Sequence, residues 1–401
     1  MEKEVKEIVN DILKQCSPTV QLRKQLAELS FDNGKLLVIS IGKAAWQLAS
    51  ITSKYLNKKI DKGIVLTKYG HAKSSIVNFE IYEAAHPITD ENSLKATEKI
   101  IELVKTAKEN DDIIFLISGG GSALLELPLI PLEQFQKINE ILLHNAVNIY
   151  DINLIRKKLS QVKGGKLAKM CKGHIHNFIL SDVIGNDLSI VASGPTVQSK
   201  DDTKRALELN DLYDLNIDVD LLKQPLPKLG NISSQVIGSN SLLADIAKEK
   251  LIELGYDSTI VTTTFTSEIN LLKEKILAFT KEKYTTNKAF IFSGEPILTV
   301  TGNGKGGRCQ HLIASSLNEM AKTKNSTLIA FGSDGTDGPT DAAGGYCTSK
   351  MARSALDLNI DSYINNFDSY NLLKQLDMLI FTGPTGTNIN DLYILLIKTD
   401  H

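Results

Sequence analysis

What most constrains the fold of this chain is an alternation. Short apolar, β-rich runs are separated by stretches whose apolar residues recur every three and four positions. Strands that feed helices in this way mark α/β architecture with mostly parallel sheet. In the first half, strands are expected at 35–41, 63–67, 79–84, 112–117 and 177–182. A helix is expected over 90–108, capped by Asp90, with Leu94, Thr97, Ile101 and Val104 on one face. Another is expected over 132–149. Strands resume at 235–238, 258–263, 288–293, 296–300, 327–332, 378–382 and 392–397. Between 197 and 234 the chain turns charged and turn-rich, with Pro225, Pro227 and Gly230 close together. That stretch sets an expected division into domains 1–230 and 231–401.

At 401 residues, two domains suit the length. The 45 Lys+Arg nearly balance 47 Asp+Glu, which excludes a generally basic nucleic-acid binder. No apolar run approaches the roughly 18 residues a membrane span needs. The N-terminal MEKEVKEIVNDILKQ reads as a helix with Val5, Ile8, Val9, Ile12 and Leu13 on one face, not as a signal peptide. Cys16, Cys171, Cys309 and Cys347 form no C-x-x-C pair, and His174 and His176 lack a third ligand nearby. Neither a disulfide framework nor a zinc site is expected. The expectation is a cytoplasmic enzyme acting on small molecules, with neither nucleic acid nor membrane as partner and a homodimer left open.

Ligands in open α/β sheets bind beyond the carboxyl ends of the strands. The first strand runs into IGKAAW, where Gly42 turns the chain and Lys43 opens a helix. A lysine there opposes the helix dipole unless it meets an anion. The fourth strand ends in SGGGSALLELP, where Ser118, Gly119, Gly120, Gly121 and Ser122 form a nest suited to phosphate or carboxylate. It lacks the G-K-[ST] ending of a Walker A loop. Then IRKKLSQVKGGKLA brings Arg156 and Lys157, and LSDVIGNDLSIVASGPT brings Asp182, Ser193 and Gly194.

In the second half, Gly302, Gly304 and Gly307 spell G-x-G-x-x-G, crowded by Lys305 and Arg308. The motif alone is a weak dinucleotide fingerprint, and Arg308 fits better as a clamp on a phosphoryl group. Asp334, Asp337 and Asp341 follow in a glycine-rich loop, where carboxylates could hold Mg2+ or make Asx turns. The last loop, TGPTGTNINDL, offers Asn388 and other polar groups to a polyhydroxy acid or a nucleotide.

Seven motifs in order resemble one family, the class II glycerate 2-kinases with a MOFRL C-terminal domain. They are IGKAA (41–45), SGGGSALLELP (118–128), NLIRKKLSQVKGGKLA (153–168), LSDVIGNDLSIVASGPT (180–196), SGEPILTVTGNGKGGRCQ (293–310), FGSDGTDGPTDAAGG (331–345) and TGPTGTNINDL (382–392). The resemblance implies two α/β domains: a Rossmann-like N-terminal domain with mainly parallel sheet, and a smaller mixed-sheet C-terminal one, with the active site in the interdomain cleft. It implies ATP- and Mg2+-dependent phosphorylation of D-glycerate on the second-carbon hydroxyl, with Lys43 and Arg308 catalytic. Expected substrate or phosphate contacts are Ser118, Gly119, Gly120, Gly121, Ser122, Arg156, Lys157, Ser193, Gly194, Gly304 and Asn388. The expected metal ligands are Asp182, Asp334 and Asp337. Cys309 replaces the usual Asn, Asn186 the first of an Asp pair, Lys158 a frequent His and Ala85 a frequent Gly. The alternatives are an NAD(P)H-dependent hydroxypyruvate reductase and a non-catalytic sugar-acid-binding module.

Overall fold

The apolar runs of the first half become strands β1 (Leu36–Ile41), β2 (Lys62–Lys68), β3 (Phe79–Ala84), β4 (Asp112–Ser118) and β5 (His174–Leu180), joined by β6 (Ser233–Gly238). The computed structural model describes residues 2–31, 34–181, 183–185, 187–230 and 232–399. It divides into two units, Gln21–Val183 with Asp187–Ile237, and Met1–Val20 with Ile184–Asn186 and Gly238–His401.

The first unit is built on one six-stranded sheet in the order β3-β2-β1-β4-β5-β6. β1 pairs in parallel with β2 and β4, β2 with β3, and β4 with β5. The central strands β1 and β4 are buried along their whole length, as their unbroken Ile/Leu/Val runs require. Strand order reverses between β1 and β4, so their carboxyl ends form the switch point at which open α/β sheets receive ligands. Helix Glu91–Thr106 starts where Asp90 accepts the Ser93 N–H while Ser93 Oγ accepts the Asp90 N–H. Its buried Ala96, Ile100 and Val104 join Ile39, Phe115 and Ile117 in the core.

Two expectations change here. The helix expected over 132–149 ends at His144, and a second begins at Ile149. Ala146 takes a positive φ of 50°, and Asn148 caps the second helix by accepting the Asp151 N–H. The strand assigned to the second domain, β6, instead completes the first sheet, with Asn177 Nδ2 on β5 donating to Ser234 Oγ at 2.9 Å. It covers an edge that β5 would otherwise expose.

The second unit holds β7 (Asp257–Phe265), β8 (Lys288–Gly294), β9 (Ser326–Gly332), β10 (Gly344–Thr348), β11 (Leu379–Ile380) and β12 (Asp391–Ile397). Their order is β11-β10-β9-β12-β8-β7, parallel between β7 and β8 and antiparallel elsewhere. No strand forms at 296–300; Ile297 makes only an isolated bridge with Glu268. β8 is flanked by β7 and β12, so the chain that follows it finds no free edge beside it. Helix Glu2–Gln15 belongs to this unit, its apolar stripe packed on helix Asn240–Glu253 and tied by Lys250–Asp11 at 2.7 Å. An amphipathic stripe must be covered, and a distant segment supplies the cover. Among the described residues no helix is long and apolar enough to cross a membrane.

Candidate active site

The turn after β1 is locked to the loop after β4. Lys43 N–H donates to Gly119 O at 2.9 Å, Ala44 N–H donates to Ser118 Oγ at 3.1 Å, and Ser118 Oγ donates to Ile41 O at 3.1 Å. Gly42 has φ +113°, and a Cβ there would lie 2.3 Å from Ser118 Oγ. Only glycine lets the two loops approach so closely. Lys43 is thereby held at the switch point with its side chain exposed. A Cβ on Gly120 would lie 3.0 Å from Lys43 Cγ and 3.2 Å from His86 Cδ2, which places the nest, the lysine and the histidine side by side. Burial, then the charge of Lys43, pushes the His86 pKa down.

Behind the nest, Ser122 Oγ and Ser193 Oγ share a hydrogen bond at 3.0 Å, and Ser193 Oγ donates to Asn153 Oδ1 at 2.6 Å. Ala192 and Ser193 both take positive φ, a strained turn held in place by this packing. The carbonyls of Ser193 and Gly194 accept from Gly164 and Gly165 N–H, so these two residues brace the basic segment.

That segment divides by role. Lys163 is fully buried against Glu126, and Lys158 pairs with Asp201 at 2.6 Å. Lys166 donates to the carbonyls of Lys157 and Ser160, and burial lowers its pKa to about 8. Lys157 reaches Ser189 Oγ at 3.3 Å. Arg156 differs from these. Its Nε donates to Asn139 Oδ1 at 2.6 Å, and among the described residues no carboxylate stands within ion-pair distance of it. It lines a pocket of about 460 Å3 together with His86, Gly120, Ser122 and Asn139.

In the second unit, Arg308 begins helix Arg308–Ser315. Its Nε donates to Asp391 Oδ2, Nη2 reaches Asp391 Oδ1 at 3.4 Å, and Nη1 reaches Glu295 Oε1 at 3.3 Å. Tyr393 Oη donates to the same Asp391 carboxylate at 2.9 Å from within the core. The guanidinium is thus gripped on its Nε edge and remains part-exposed.

The expected metal ligands fare differently from one another. Asp337 accepts Cys309 N–H at 3.1 Å and Gln310 N–H at 2.8 Å, so both its oxygens cap the helix. Burial pushes its pKa up to about 7. Asp334 is half-buried, with Oδ1 accepting Thr336 N–H in an Asx turn. Asp182 lies outside the described residues, as does Asn186. Among the described residues no group of three His, Cys, Asp or Glu side chains could hold a metal ion.

Gly304 N–H donates to Asn366 O at 2.8 Å, and a Cβ there would lie 2.5 Å from that oxygen. The glycine loop is therefore closed on residues 366–370. Asn388 lies exposed in the loop before β12.

Residues 4–223 match a domain of unknown function (DUF4147) and residues 288–391 match the MOFRL family. A protein named D-glycerate 2-kinase from Thermotoga maritima is 40% identical over 406 residues, covering 98% of this chain and 97% of that protein. The chain belongs to the class II glycerate 2-kinase family. A glycerate 2-kinase from Pyrococcus horikoshii is 37% identical over 394 residues, covering 91% of this chain and 88% of that protein. The crystal structure of the Thermotoga maritima glycerate kinase superposes with a TM-score of 0.89, at 39% identity over 98% of this chain and 99% of that one.

Against this family background, the departure at Cys309 is a packing matter. Its side chain is buried, with Sγ 3.8 Å from Tyr393 Oη on the side away from solvent. Lys158, in place of the frequent His, is buried and pairs with the exposed Asp201. Sequence reasoning missed Glu295 and Asp391 as the partners of Arg308, and Asn139 as the partner of Arg156. Glu126 carried a legible signal, a carboxylate inside the apolar run LLELP that only a buried cation could offset.

Proposed function

We propose that this chain phosphorylates D-glycerate on its second-carbon hydroxyl, giving 2-phosphoglycerate and ADP from ATP. The observation that carries the reading is family membership across both units, with Lys43 and the glycine nest at the switch point of the first sheet. In the reaction the hydroxyl oxygen attacks the γ-phosphorus, the bond to the ADP oxygen breaks, and the hydroxyl proton passes to water. Such transfer needs positioning and charge neutralisation more than covalent help. Lys43 and Arg308 each offer a cation for the charge that spreads over the phosphoryl oxygens.

Mg2+ is generally held through one or two carboxylates plus substrate phosphates, without an all-protein cage. Asp334 fits that need, because its Oδ2 is not used in the Asx turn. When bound with the nucleotide, the metal supplies charge neutralisation on the phosphates.

The reductase reading loses its motif. The G-x-G-x-x-G stretch follows no strand, and its Gly304 N–H is consumed by Asn366. ADP release coupled to D-glycerate, with product analysis separating 2- from 3-phosphoglycerate, tests the proposal. Absence of ADP release with D-glycerate, while other sugar acids react, removes the substrate assignment. Oxidation of NAD(P)H by hydroxypyruvate would favour the reductase instead.

A further inference from the structure

The pocket beside Lys43 is larger and more apolar than a three-carbon acid requires. At about 460 Å3 it lies within the roughly 300–1,000 Å3 of sites that bury drug-sized ligands. Glycerate, all hydroxyl and carboxylate, would fill only a fraction of it and would leave its apolar walls wet. Those walls include Phe135, Ile88 and Leu143, and the last two are 56% and 60% exposed. The pocket also has a polar part, where the Arg156 guanidinium and the glycine nest share the lining with one carboxylate, Glu140. Gly120 and Ser122 belong to the glycine nest, and Arg156 has a single hydrogen bond and no ion-pair partner among the described residues. Burial lowers the Arg156 pKa, and the Glu126 carboxylate acts against that shift. Glu126, the carboxylate that acts on it from a distance, is already engaged by Lys163.

A ligand that suits this lining has a flat apolar body and an anionic tail. The tail must point at the nest, because Gly120 is shared between the pocket and the Lys43 contact. We propose that the Arg156 pocket is the nucleoside site of the phosphoryl donor. The purine rests against Phe135, Ile88 and Leu143, and the phosphates run past Arg156 and the glycine nest toward Lys43. The inference rests on the kinase reading above and assigns the donor to the first unit. The switch point where strand order reverses is also where open α/β sheets receive nucleotides.

The test measures ADP, pyrophosphate and D-glycerate separately. Binding of ADP and of pyrophosphate is read by calorimetry, and the KM for glycerate by turnover. The proteins are the parent chain, the double variant Ile88→Ser/Leu143→Ser, and Arg156→Gln. The serine substitutions sit on exposed side chains, so folding is retained even if Arg156→Gln proves unstable. The double variant should weaken ADP about tenfold while leaving pyrophosphate affinity and glycerate KM within a factor of about two. Arg156→Gln should weaken both ADP and pyrophosphate. An unchanged ADP affinity in the double variant overturns the nucleoside assignment while leaving the kinase reading intact. A glycerate KM raised tenfold with ADP unaffected gives the pocket to the acid instead. A parent chain that binds no ADP at all sinks the kinase reading and the pocket with it.

Discussion

Lys43 and Arg308 are alike in charge and differ in how they are held. Lys43 extends from a turn fixed by Gly42 and Ser118, whereas Arg308 is gripped along one edge by Asp391. Losing one electrostatic donor to a developing transition state lowers kcat on the order of 10²–10³. Lys43→Ala and Arg308→Ala should each show that loss with smaller changes in KM, and steady-state kinetics will measure the split. Arg308→Lys should not restore full turnover, because an ammonium cannot keep the Asp391 contact and present a fork to phosphate at once. Turnover by Arg308→Ala within about threefold of the parent would remove it from the mechanism. Asp337 makes a different prediction. Its pKa rises from 3.8 unfolded to about 7 folded, chiefly through burial. The folded state therefore holds the proton longer. The stability this contributes is full below 3.8 and lost as pH rises through about 7. Asp337→Asn cannot titrate, so its melting temperature should fall less than the parent's between those pH values.

At the scale of elements, the basic segment is largely scaffold. Lys163 and Glu126 are both wholly buried, and Lys163 Nζ also donates to Leu125 O at 2.8 Å. Removing one partner of such a pair strands the other charge in the core, at a cost of about 3–5 kcal/mol. Lys163→Met should show that loss in urea unfolding, whereas the double variant Lys163→Met/Glu126→Leu should recover most of it. Recovery would separate the burial of a lone charge from loss of the pair's own attraction. The pair ties the loop after the nest to the segment before Gly164, so the single variant should also slow turnover by loosening the nest. From sequence, Arg156 and Lys157 are expected as phosphate contacts, and nothing in the spacing sets Lys163 apart from them. Sequence spacing cannot tell a lysine facing Glu126 from one facing a ligand, because the partner lies 37 residues away.

At the scale of the whole molecule, the chain's first helix stabilises its second unit. Val5, Ile8, Val9 and Ile12 are each no more than 1% exposed, packed on a unit whose main segment starts at Gly238. Truncating one buried isoleucine generally costs about 2–5 kcal/mol. Ile8→Ala should therefore raise hydrogen exchange in helix Asn240–Glu253 more than in β1 or β4. Equal exchange in both regions would place the helix elsewhere. The expected split at 230/231 drew one line through the chain, but the units alternate along the sequence, with a junction near 237 and the first helix grouped with the segment that begins at Gly238.

The sequence by itself determined the α/β class, most strands, the capped helix after Asp90 and the family, because periodicity and loop chemistry are local properties. Gly42, Lys43 and the triple glycine were legible for the same reason, since each follows an apolar strand that must deliver it to a sheet end. The structure alone decided which charges were spent. Arg308 was read as a free clamp and proved to be gripped by Asp391. Asp337, an expected metal ligand, accepts two backbone N–H groups at a helix start, while Arg156 lines a pocket with no carboxylate within ion-pair distance of it among the described residues. The strand GGYCT escaped notice because its short run of small residues has no apolar alternation; it pairs only because β9 and β11 lie on either side. These outcomes depend on neighbours distant in sequence, and proximity of that kind exists only once the chain has folded.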